Sequence, residues 1–172
     1  MNRFLISYSP ELIAHDLCDK HVVKMPLEEA QMLSTVLRQA NPEYADEHGL
    51  YRVAHAKHPC TIWAGKTRAN YIFACDLWQY MCMEYTHRYG KHHASERFAH
   101  AFIQGVRYVP DGDLTPHPEC FGEHAHLKTD HDWPVDSYRK FYQTKQHKFK
   151  MKWTNRPVPK WFEYQNWEIA YA

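Results

Sequence analysis

His21, Lys24, Glu28, Gln31 and Thr35 recur at intervals of three and four residues, so on a continuous helix they share one stripe. A carboxylate beside an amine and an imidazole can do general acid–base work, or stabilise a cationic sugar or imine intermediate. Lys24, once its amine is neutral, can itself attack an anomeric carbon. Glu28 and Glu29 also read as ordinary first-turn acids favoured by a helix dipole, with the other residues on a solvated face. Spacing alone leaves both readings open.

A second pattern fills the C-terminal third. Between Ser137 and Phe162 there is no Asp or Glu. The same span carries Arg139, Lys140, Lys145, Lys148, Lys150, Lys152, Arg156 and Lys160, interleaved with Tyr138, Phe141, Tyr142, Phe149, Trp153, Trp161 and Phe162. Cations for phosphates and rings for unstacked bases are what recognition of a single-stranded or flipped nucleotide needs. The plain alternative is an amphipathic helix with core rings and solvated lysines. The lack of balancing acids favours the nucleic-acid surface.

Histidine is the third. Of fourteen histidines, His117, His124, His126 and His131 gather around Cys120. Neutral imidazole and thiolate suit zinc, but the spacing fits no zinc motif, and Pro118 and Gly122 make the segment a loop. Surface histidines without a metal are the expectation.

These residues need elements to hold them. Ser9, Pro10 and Glu11 read as N-cap, first helical residue and first-turn acid, opening a helix that runs to about residue 25. Pro26 starts a second helix, or bends a continuing one, that ends at Asn41-Pro42. Residues 43–66 read as irregular. A long apolar face from about Thr67 to Tyr89, closed by Gly90, predicts the longest helix, and ASERFAHAFIQG a shorter one ending at Gly105. Residues 106–135, with Pro110, Pro116, Pro118 and Pro134, form a long Pro- and His-rich loop. Asp136 caps a last helix reaching Trp153, before an aromatic tail. No alternating run supports a sheet, so the expected fold is an all-α, compact, single-domain helical bundle over residues 1–172.

Composition sets the limits. A chain of 172 residues is one domain by length, with room for a core. A formal charge of +1 does not by itself indicate a nucleic-acid binder, so positive charge must be concentrated locally. Five scattered cysteines without a CxxC pair fit a reducing compartment. The opening lacks the apolar run of a signal peptide, and no stretch is long enough to span a membrane. A soluble cytoplasmic protein is expected. The chain has no GxGxxG, GxxxxGK[ST] or GxSxG, which disfavours dinucleotide enzymes, P-loop NTPases and α/β-hydrolases.

Three segments together resemble the pyrimidine-dimer DNA glycosylase family, which includes the small phage endonuclease V enzymes. They are MNRFLISYSPELIAHDL leading to an acid on the first long helix, HPCTIWAG with the helix ending EYTHRYG, and the tail RPVPKWFEYQNWEIAYA. The resemblance covers about half the chain. It implies an all-α domain that binds duplex DNA, flips a base and cuts its glycosidic bond. In that family a helix glutamate stabilises the intermediate, and an α-amino group at a small second residue forms an imine with the sugar.

Carried over, Glu28 takes the glutamate role, with Glu29 the alternative one residue on. Arg3 contacts DNA near the site, and Trp161, Phe162 and Tyr164 fall on the DNA-contacting tail. The second residue here is the bulky Asn2, which retains Met1. That leaves three routes: an amine from Lys24 or Lys20, direct attack by water, or a changed reaction.

The sequence therefore predicts an N-glycosylase that releases a damaged or modified base from DNA, with or without strand-cleaving lyase activity. Glu28 holds the cationic intermediate, and His21 and Lys24 assist. The 139–162 segment grips the nucleic acid, and neither a metal nor an organic cofactor is needed. The rivals are a non-catalytic nucleic-acid-binding protein, a glycosylase or transferase acting on nucleotides or RNA, and a metal-dependent nuclease built on the 117–131 histidines.

Overall fold

The computed structural model describes residues 1–165, and every regular element among them is helical. Seven α-helices follow in order: α1 (Pro10–Asp16), α2 (Asp19–Ala40), α3 (Pro42–Glu47), α4 (Pro59–Lys66), α5 (Arg68–Tyr89), α6 (Ala99–Gly105) and α7 (Val135–Gln143). Short 3-10 turns occupy Ala94–Phe98, Val106–Tyr108, Gly122–Leu127 and Thr144–His147. The two 22-residue helices α2 and α5 pack against each other, and both pack on α4, with α1 lying along α5. The fold is all-α. No helix among the described residues is long and apolar enough to cross a membrane.

The N-terminal segment does more than lead into α1. Residues 2–7 run without helical structure and are all buried. Arg3 reaches Glu29 on α2, Phe4 packs 4.8 Å from His21 on α2 and 5.0 Å from Tyr142 on α7, and the Ile6 carbonyl accepts from Arg139 on α7. This segment is the seam between α2 and α7. Leu5, Ile6, Ile13, Leu17, Trp78 and Phe102 lie at the core around it, where each buried aliphatic side chain contributes about 1.5–3 kcal/mol.

Several expected boundaries move, each for a physical reason. Ser9 caps α1 as its sequence predicts, accepting from the Leu12 N–H at 3.2 Å. The helix then stops at Asp16 instead of reaching residue 25. Leu17 and Cys18 are extended, the Cys18 N–H goes to the Tyr142 hydroxyl at 3.0 Å, and the Asp19 N–H goes to the Lys152 carbonyl. Tertiary partners thus take the donors that a continuous helix would use. Pro26 neither starts nor ends a helix but lies buried inside α2. Its missing N–H costs about 3 kcal/mol in an isolated helix, which the apolar face of α2 offsets by burial.

Residues 43–66 hold α3 and α4, where an irregular stretch is expected from sequence. Both helices begin with a proline behind a capping side chain: Asn41 accepts from the Tyr44 N–H, and His58 from the Cys60 N–H. The final helix begins at Val135, so Asp136 is a first-turn acid and not its cap, and it ends at Gln143 instead of Trp153. The Thr144 hydroxyl takes the Phe141 carbonyl at 2.7 Å, and the chain then leaves as a 3-10 turn and an extended tail. Gly90 closes α5 in the left-handed conformation at φ 63°. Gly105 ends α6 where a Cβ would stand 2.6 Å from Leu37, so only glycine lets α6 approach α2 that closely.

Candidate functional site

A cleft of about 640 Å³ opens between the N-terminal seam, α2, the start of α4, the 119–128 loop and α7. Its lining includes Asn2, Phe4, His21, Lys24, Glu28, His58, Cys120, Phe121, Lys128, Phe141 and Lys145. Glu28 is 8% exposed there. Its carboxylate meets Lys24 Nζ at 3.0 Å and accepts the Asn2 main-chain N–H at 3.3 Å, with the Met1 amine at 3.8 Å. Lys24 and Glu28 stand one turn apart on α2, which is why they meet.

His21, one turn before Lys24, lines the same cleft. The Tyr142 hydroxyl accepts from the Cys18 N–H and pairs with His21 Nδ1 at 2.6 Å; where that hydroxyl donates to Nδ1, the ring hydrogen sits on Nε2. Burial, reinforced by Lys145, Lys24 and Lys20, pushes the imidazole down to about 3, so it stays neutral at ordinary pH. Lys145 lies half-buried, 3.9 Å from the centre of the Phe141 ring. Burial, with Lys148 beside it, lowers its amine below the usual range.

Glu29 faces the other way. Fully buried, it accepts both Nε, at 3.0 Å, and Nη2 of Arg3, which is 1% exposed. This pair holds the N-terminal seam to α2. Neither Glu29 nor Arg3 borders the cleft, so Arg3 is withdrawn from the surface where a phosphate could meet it.

The basic C-terminal segment is divided among several tasks. Arg139 donates to the Ile6 carbonyl at 2.9 Å and lies over the Trp161 ring. Arg156 is bound to Glu84 through Nε and Nη2, at 3.0 and 2.8 Å. Lys148 approaches Glu123 at 4.0 Å. Lys140, Lys150, Lys152 and Lys160 are exposed and have no carboxylate partner among the described residues. The rings mostly face inward: Tyr138, Phe141, Tyr142, Trp153 and Phe162 are buried, and Trp161 donates to Asp16 at 2.7 Å. Tyr164 is 59% exposed. The end of the tail, residues 166–172, lies outside the described residues.

The histidine run does not converge. His117 is buried between Trp63, Trp133 and Tyr138, while His126 and His131 are exposed. Cys120 instead meets Cys60, with sulfurs 3.8 Å apart, and His58 joins them. The sulfur–sulfur hydrogen bond pulls the Cys120 thiol below its ordinary value; the same bond and burial push Cys60 up. Phe4, Phe121, His58 and Cys60 are not singled out by the sequence as site residues, and Cys120, grouped there with His117, His124, His126 and His131, has other partners. A legible signal existed at His58-Pro59-Cys60, where a capping side chain precedes a proline at the first helical position.

Compared with protein-family models, curated proteins and solved structures, the chain matches none of them.

Proposed function

We propose that this cleft is the active site of an N-glycosylase that releases a damaged or modified base from DNA, with Glu28 as its central carboxylate. The observation that carries the proposal is the mostly buried Glu28 carboxylate within reach of amines in a cleft of nucleotide size, which Glu119 also lines at its more exposed side. Phe4, Phe121 and Phe141, largely buried, bring apolar ring edges to the cleft wall for a base turned out of the helix. Lys24, Lys128 and Lys145 supply the cations that neighbouring phosphates require.

When the glycosidic bond breaks, its electron pair leaves with the base, and positive charge develops on C1′ and the ring oxygen of the sugar. Glu28, mostly buried at the wall of the cleft, stabilises that charge electrostatically. An amine that has first released its ammonium proton to solvent then donates its lone pair to C1′; one of its remaining protons passes to the ring oxygen as the C1′–O bond breaks, leaving a protonated imine. The amines in contact with Glu28 are Lys24 Nζ and the Met1 nitrogen. Neutral His21, in the tautomer with its hydrogen on Nε2, can donate to the departing base or to the sugar.

Borohydride trapping on damaged duplex DNA, followed by peptide mapping, tests the amine step. A reduced adduct on Lys24 or on Met1 identifies the nucleophile. Base release without an adduct assigns the attack to water. A protein that only binds nucleic acid gives neither, and Glu28→Gln then changes nothing.

A further inference from the structure

His58 and Cys120 border the same cleft, Cys60 lies buried behind them, and none of the three takes part in the sugar chemistry above. One imidazole nitrogen and two sulfurs lie within 4.8 Å of one another. The sulfurs are 3.8 Å apart. Two thiolates bound to one tetrahedral zinc at about 2.3 Å stand about 3.8 Å from each other. The sulfur pair is thus already at the spacing of a ligand pair.

The backbone of both cysteines is pinned. Cys60 donates its N–H to His58 and offers its carbonyl to Arg3 at 3.4 Å. Cys120 receives the Asn2 side chain on its carbonyl at 2.6 Å and donates its N–H to the Tyr138 hydroxyl at 3.1 Å. Two segments sixty positions apart in sequence are therefore held so that their thiols meet. Cys60 is fully buried, whereas His58 and Cys120 line the cleft.

We propose that His58, Cys60 and Cys120 bind a thiophilic divalent ion of the zinc class, three protein ligands leaving the fourth position open to the cleft. Binding displaces one proton from each thiol to solvent, so two thiolates and a neutral imidazole leave the site without net charge. His58 gives up its hydrogen bond to the Cys60 N–H to ligate, because a neutral imidazole has one lone-pair nitrogen. A single residue links the trio to Glu28: Asn2 bonds the Cys120 carbonyl through its side chain and Glu28 through its N–H. A water or a polar substrate atom takes the open fourth position.

Equilibrating the purified, reduced full chain with Co²⁺ or Zn²⁺, removing excess metal and measuring bound ion tests the site directly. One ion per chain and a thiolate-to-cobalt charge-transfer band are expected. Cys120→Ser, which changes a partly exposed side chain, and His58→Ala should each weaken binding about 100-fold or more. Glu28→Gln should keep the ion while losing base release, so failure here and failure of the glycosylase proposal are told apart. Absence of the band, equal retention by Cys120→Ser, or a Cys60–Cys120 disulfide in protein isolated under thiol-blocking conditions overturns the proposal.

Discussion

Glu28 and Glu29 are adjacent on α2 but serve different parts of the molecule. Glu28 stands in the cleft against Lys24, and Glu29 is locked in the core by both arms of Arg3. Sequence spacing left the two interchangeable. The chain separates them because consecutive helical side chains diverge by about 100°, and because the buried N-terminal seam delivers a guanidinium to one of them only.

The two carboxylates should therefore respond oppositely to the same change. Glu29→Gln strands a buried guanidinium and should cost about 3–5 kcal/mol, read as a lower denaturation midpoint with an unchanged m-value. Arg3→Met combined with Glu29→Leu should recover most of that loss. Glu28→Gln should stay within about 1 kcal/mol of wild type, since its site is open to solvent on one side. Equal destabilisation by both single glutamines contradicts this division.

Salt dependence separates structural from surface cations. Arg156 is committed to the buried Glu84, so Arg156→Ala should lower stability by about 1–3 kcal/mol and leave the salt slope of DNA binding unchanged. Lys145→Ala with Lys148→Ala should flatten that slope by about 2. A slope that follows Arg156 and ignores the lysines assigns the phosphate contacts to another face.

Acid should destabilise the fold early. Burial, then Lys145, holds His21 at about 3, and burial, then Arg3, holds His117 well below its ordinary range. Neither ring nitrogen of His117 makes a well-formed hydrogen bond among the described residues. Unfolding returns both imidazoles to about 6.5, where they bind protons the native state refuses. Stability is thus complete above about pH 6.5 and falls as pH drops below it, by about 2–3 kcal/mol in total between pH 7 and 5.5. His117→Leu should remove about half of that dependence in urea titrations. A flat profile over this range contradicts the neutral, buried assignment.

Much of the scaffold is legible where local chemistry decides it. Ser9-Pro10 begins a helix, Gly90 ends one, and the spacing of His21, Lys24 and Glu28 places them on one face of α2. What is not legible depends on distant partners. The break at Leu17–Cys18 follows from Tyr142 and Lys152, more than 120 residues away. The rings between 138 and 162 look like a binding surface in sequence, because their inward register is set by α7 packing on the N-terminal seam. Cys120 sits in a histidine-rich run but meets Cys60, a pairing across sixty residues that no local spacing encodes.

The measurement that bears most directly on the central claim is base release from ultraviolet-irradiated duplex DNA, and from duplexes carrying modified bases, by wild type and Glu28→Gln at equal folded concentration. Release by wild type, reduced at least about 100-fold in Glu28→Gln, is the predicted result. Equal release by the two proteins, or no release by wild type from any of these substrates, contradicts it.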